Sequence, residues 1–151
     1  MSESSGGQAR IVVGVDGSEE SKHALRWAAR QAGFTGATLE AVTGWEYPAF
    51  FGFAPTIPDG IDYGELAGRA LIQSIDEVFG ADRPPRLETR VIARHPALAL
   101  VDASEGAELL VVGSRGYGGL ADALLGSVST YCIHHALCPV TVIRPADHHR
   151  K

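Results

Sequence analysis

The chain has 151 residues, of which 45% are apolar and 21% charged, and its formal net charge is −5. That length and balance are ordinary for one soluble globular domain with a real core. The acidic balance gives no electrostatic support for a nucleic-acid partner, and no apolar run approaches the roughly 20 residues of a membrane span, so neither is expected.

The opening MSESSGGQAR has no hydrophobic signal core, and residues 1–9 read as a disordered tail. A cytosolic protein is therefore expected. Ile11 to Val15 is apolar throughout and predicts a first strand. Asp16-Gly17 turns the chain. Ser18 is placed to cap a helix whose first turn holds Glu19 and Glu20, where negative charge is favourable. Ala24, Leu25, Ala28, Ala29 and Ala32 form its apolar stripe, and Gly33 is its expected stop. Trp27 lies off that stripe, either partly exposed or at an interface.

Thr38 to Gly44 predicts a second strand. Pro48, Pro55 and Pro58 fall among Phe50, Phe51 and Phe53, so residues 45–61 should form an irregular aromatic loop. A second helix is expected from Tyr63 to Phe79, with Leu66, Ala70, Ile75 and Val78 inward and Gly80 as the stop. Leu87 to Ile92 alternates polar and apolar, as an edge strand does. Pro96 opens a third helix that ends near Gly106. Leu109 to Val112 predicts a buried strand, Ser127 to Ala136 a fourth helix, and Val140 to Ile143 a last strand. The polar stretch 146–151 reads as a loose tail.

Five strands alternate with four helices, which predicts an α/β domain over residues 10–145, with a parallel sheet covered by helices on both faces. In such sheets ligands bind beyond the carboxyl ends of the strands, where the strand order reverses. The chemically distinctive strand ends are GVDGS and GSRG. A ligand touching both needs the first and fourth strands side by side, which gives the order 3-2-1-4-5.

The fourth strand leads into a glycine-dense loop. Gly113, Gly116, Gly118 and Gly119 are followed by Gly126, Ser127, Val128 and Ser129 at the start of a helix. Glycines let a backbone approach a ligand closely, and a helix start offers unpaired N–H groups with partial positive charge. Together with the two hydroxyls these are the parts of a phosphate site. Arg115 is the only cation of this loop, placed either to pair with phosphate or to be solvated. Asp122 repels phosphate unless it points away or helps hold a metal ion. The GxxxxGK[ST] spacing of P-loop NTPases is absent.

The spacing Gly113, two residues, Gly116, nine residues, Gly126-Ser127 resembles the nucleotide-binding pattern of the ATP-binding universal stress proteins. IVVGVDGSEESKHALRWA and HHALCPVTVIRP resemble that family's opening and closing segments, so the likeness covers residues 10–145. It implies a Rossmann-like fold of the adenine nucleotide alpha hydrolase type, ATP with Mg2+ as ligand, the same strand order, and a homodimer joined through the last strand.

On this reading Gly14, Val15 and Asp16 lie beside the nucleotide. Asp16 hydrogen-bonds the base or sugar; its structural alternative is an aspartate bonding its own turn two residues on. Val42 and Gly44 offer main-chain groups to the base edge. Gly113, Ser114, Arg115, Gly116, Gly118, Gly119, Gly126, Ser127, Val128 and Ser129 face the phosphates.

The competing class is an enzyme that splits ATP between its α and β phosphates. Such enzymes carry an SGGxDS-like loop after the first strand, whereas this chain has GVDGSEES without paired glycines. A binding module with little or no hydrolysis is therefore expected, with cyclic AMP as an alternative ligand. Cys132 and Cys138 fit no metal or redox spacing and read as reduced thiols. Cys132 with His135 makes an improbable nucleophile pair, with no orienting acid in sight. His134 and His135 are adjacent on a helix, so one should face the core and one the solvent.

Overall fold

The computed structural model describes residues 8–47, 60–115 and 125–145. Gly116, Gly118, Gly119, Asp122, the tail 146–151 and most of the aromatic loop and of the first tail lie outside the described residues. The elements are β1 (Arg10–Gly14), α1 (Glu19–Thr35), β2 (Thr38–Gly44), α2 (Tyr63–Phe79), β3 (Leu87–Ile92), α3 (Pro96–Ser104), β4 (Leu109–Gly113), α4 (Ser127–His135) and β5 (Val140–Ile143).

The five strands form one parallel sheet in the order β3-β2-β1-β4-β5. Successive strand residues point to opposite faces. In β1, Ile11 and Val13 enter a core with Ala24, Leu25 and Ala28 of α1 and Leu71 and Ile75 of α2. Val12 enters the other core with Leu100 and Ala103 of α3, Leu110 of β4 and Cys132 of α4. Burying a Leu or Ile of this kind contributes about 1.5–3 kcal/mol. Two helices therefore cover each face, and every strand except β3 and β5 is enclosed by neighbours on both sides.

One charged pair is built into the sheet. Glu40 is only 7% exposed, yet it sits in β2. Arg10 Nη1 donates to its Oε1 at 2.9 Å and to the carbonyl of Ala103 at 2.8 Å. The buried carboxylate is thus partnered, and the pair ties the end of α3 to β1 and β2.

Some local expectations are corrected. Helix α1 runs through Gly33 and ends at Gly36, whose φ of 78° supplies the left-handed cap; its N–H donates to the carbonyl of Ala32. Gly33 is exposed inside the helix. In α2 the buried side chains are Leu71, Ser74 and Ile75, whereas Leu66 and Ala70 are exposed. The buried stripe of α2 passes through Leu71, about 100° around the helix from Ala70. Trp27 is half-buried and packs against the α1–α2 core. His134 and His135 are both exposed, and His135 stacks on Tyr131 with ring centroids 4.2 Å apart.

Candidate functional site

Beyond the carboxyl ends of β1, β2 and β4 lies a cleft of about 480 Å³, within the size range of small-molecule sites. It opens where the strand order reverses, between β1 and β4. Of the residues singled out from sequence, Gly14, Val15, Asp16, Val42, Gly44, Gly113, Arg115, Gly126, Ser127, Val128 and Ser129 line it. Gly17, Ser21, Thr43, Ala70, Leu71, Pro96, Leu100 and Val112 line it too, without having been expected there. Ala70 is expected in a helix core and Val112 in a buried strand, and Leu71 and Leu100 are not singled out; nothing local shows that the cleft reaches any of them.

The β1–β2 wall is bonded into itself. Ser18 caps α1 by accepting the N–H of Ser21 at 3.1 Å. Asp16 Oδ1 accepts the N–H of Ser18 at 2.9 Å, so the aspartate does hold its own turn. It is also exposed and lines the cleft, so its turn bond and a ligand contact are compatible. The N–H of Val15 donates to the carbonyl of Val42 at 2.9 Å, and Thr43 Oγ1 donates to the carbonyl of Val15 at 2.8 Å. At Gly44 a Cβ would lie 2.7 Å from Pro96 Cα and 2.8 Å from the carbonyl oxygen of Arg94. At Gly14 it would meet Leu100 Cδ1 at 2.7 Å. These two glycines let α3 press onto the sheet and thereby shape the cleft floor.

The β4–α4 wall is different. Helix α4 starts at Gly126 without a side-chain cap. The first turn of a helix leaves N–H groups without intrahelical partners, and here that turn, Ser127 to Ser129, lines the cleft. Not all its polar atoms face the cleft. Ser114 is 1% exposed and absent from the lining: its N–H donates to the carbonyl of Ile143, and its carbonyl accepts from Gly126 N and Ser129 Oγ. The Ser129 hydroxyl also reaches the carbonyl of Gly126 at 3.1 Å. Its one proton is therefore engaged within the fold, while Ser129 itself still lines the cleft.

Arg115 lines the cleft and pairs with Glu20 of α1 at 3.1 Å. It is therefore not simply a solvated loop arginine. At Gly113 a Cβ would meet Glu20 Cβ at 2.9 Å, so the end of β4 lies hard against the first turn of α1. Cys132 is fully buried behind this wall, and burial pushes its thiol up to about 11, far from a neutral-pH nucleophile.

The family model of the universal stress proteins matches residues 9–144. The chain belongs to that family. A universal stress protein of Mycolicibacterium smegmatis is 35% identical over 148 residues, covering 91% of this chain and 48% of that protein. The chain thus spans about half the length of the curated relatives it matches. Among solved structures, universal stress protein UspA of Lactobacillus plantarum superposes with a TM-score of 0.71 at 26% identity, covering 91% of this chain and 98% of that one. A universal stress protein in complex with cAMP gives 0.65 at 28%, covering 90% and 96%. One from Archaeoglobus fulgidus in complex with dAMP gives 0.61 at 25%, covering 89% and 97%. These neighbours share the Rossmann-like sheet and helices.

Proposed function

We propose that this universal stress protein domain is a regulatory binding module for adenine nucleotides, with ATP and Mg2+ as its ligand. The observation that carries the reading is the uncapped first turn of α4, which lines a cleft shared with Asp16 and Arg115. A helix start of this kind favours anions. Val42 and Gly44 on the opposite wall are the proposed contacts of the base edge. Gly116, Gly118 and Gly119 belong to the proposed phosphate loop by sequence. Magnesium would ride largely on the phosphates, as it does where a site supplies few carboxylates. Cyclic AMP is the second reading, favoured by the solved family member in complex with it.

The proposed module hydrolyses ATP slowly or not at all. Fast phosphoryl transfer needs placed charge and a positioned water. The lining offers N–H groups, hydroxyls and Arg115, already paired with Glu20. The proposed setting is a stress response in the cytosol. Among the described residues no helix is long and apolar enough to cross a membrane.

The test is direct. Purified protein is denatured and the released small molecules are identified, and nucleotide-free protein is titrated with ATP and cyclic AMP. An adenine nucleotide in the extract, or micromolar binding, supports the module. Absence of both overturns it, as would turnover above about one per second, the low end for enzymes.

The proposed assembly is a homodimer through β5, which lies at a sheet edge and is β-branched throughout. Pro139 and Ile143 turn their carbonyls toward β4. By alternation Thr141 faces β4 and Val142 presents its N–H outward. Val142→Pro should give a monomer by light scattering, whereas Thr141→Pro should cost stability. A dimer that survives Val142→Pro refutes the edge contact.

A further inference from the structure

We propose that Glu20 determines which adenine nucleotide the cleft accepts. Its ion pair with Arg115 sets the charge at the phosphate end, against free ATP and in favour of magnesium-bound ATP or a mononucleotide. This rests on the nucleotide reading above and adds to it a residue that the cleft lining does not include.

Three observations carry it. Arg115 is the only cation lining the described cleft, and the sequence from Gly113 to Ser129 contains no other Lys or Arg. Glu20 holds that guanidinium at 3.1 Å, and the two side chains are only 19% and 24% exposed, so water screens them incompletely. The stem of Glu20 is also held beside Arg115's strand end, because Gly113 packs directly on Glu20 Cβ and on its main chain.

The charge balance follows. Arg115 is offset by Glu20, and Asp16 adds a second carboxylate to the lining. Free ATP brings about four negative charges to this end, magnesium-bound ATP and AMP about two, and cyclic AMP one. The penalty from Glu20 therefore grows along that series in reverse.

The experiment is calorimetry on nucleotide-free wild type and Glu20→Gln. The ligands are ATP with a chelator, ATP with excess magnesium, AMP and cyclic AMP, each at low and high salt. Neutralising Glu20 should raise affinity for free ATP on the order of tenfold. The gain should be about threefold for magnesium-bound ATP and AMP, least for cyclic AMP, and should shrink at high salt. Arg115→Gln should show the opposite grading, with free ATP losing most; it provides the second reading should Glu20→Gln fold poorly by circular dichroism. Equal changes for all four ligands, or none, overturn the assignment to Glu20 and leave the nucleotide module standing. If the wild type binds none of the four, the module falls and this proposal with it.

Discussion

The two walls of the cleft differ in what they leave for a ligand. In the β1–β2 wall, Asp16 holds its own turn, Val15 is bonded at both N–H and carbonyl, and Gly44 is pressed against α3. The β4–α4 wall ends in a helix start without a side-chain cap. A wall whose polar groups are bonded into the fold gives shape. A wall with helix-start N–H groups gives attraction for an anion. Substitutions in the first should therefore register as stability, and substitutions in the second as affinity.

The largest expected effect tests the first wall. Gly44→Ala places a methyl 2.7 Å from Pro96 Cα and 2.8 Å from the carbonyl oxygen of Arg94, both main chain with little room to yield. Overpacking against backbone should cost about 3 kcal/mol. A thermal melt should show a drop of roughly 5–10 °C. An unchanged melting temperature would mean that α3 and β2 are not locked together here, and the contrast between the walls would lose one side.

The converse substitution belongs to the loop after β4. Gly116→Ala should leave the melting temperature nearly unchanged while weakening ATP binding on the order of tenfold to a hundredfold, since on the proposed function a methyl would enter a stretch whose backbone approaches phosphates. Calorimetry decides it: unchanged affinity would make the loop a plain turn and remove the phosphate site from that wall.

How much of this was legible in the sequence follows from the range of the interactions involved. Apolar runs, glycine stops and caps act over a few residues, so β2, α2, β3 and β5 are found where their patterns placed them. The strand order was legible because a ligand touching both chemically distinctive strand ends would need β1 and β4 side by side, as they are. Gly33 reads as the stop by composition alone, but it lacks the positive φ that makes Gly36 the cap. Leu66 and Ala70 looked inward because the stripe could be drawn through them; tertiary packing chose Leu71 instead. The Glu20–Arg115 pair joins residues 95 apart and leaves no local signal. The direction of a hydroxyl is equally invisible, which is why Ser114, Ser127 and Ser129 looked alike.

Those serines supply the smallest effect and the finest division, inside one wall. Ser127 is exposed and lines the cleft. Ser129 is 2% exposed, and its hydroxyl donates to the carbonyls of Ser114 and Gly126 at 3.0 and 3.1 Å. A hydroxyl has one proton, so Ser129 cannot also donate to a phosphate without breaking the bond that anchors α4 to β4. Ser127→Ala should therefore weaken nucleotide binding about threefold to tenfold and leave stability within about 0.5 kcal/mol. Ser129→Ala should do the reverse: losing the hydroxyl bond costs about 1 kcal/mol of stability, although the carbonyls of Ser114 and Gly126 keep their backbone donors, Gly126 N and Thr130 N, with affinity changing less than about twofold. Calorimetry and urea melts on the two variants and the wild type separate the roles. If Ser129→Ala loses as much affinity as Ser127→Ala, the hydroxyl turns outward when ligand binds, and the second wall rearranges on binding rather than waiting preformed.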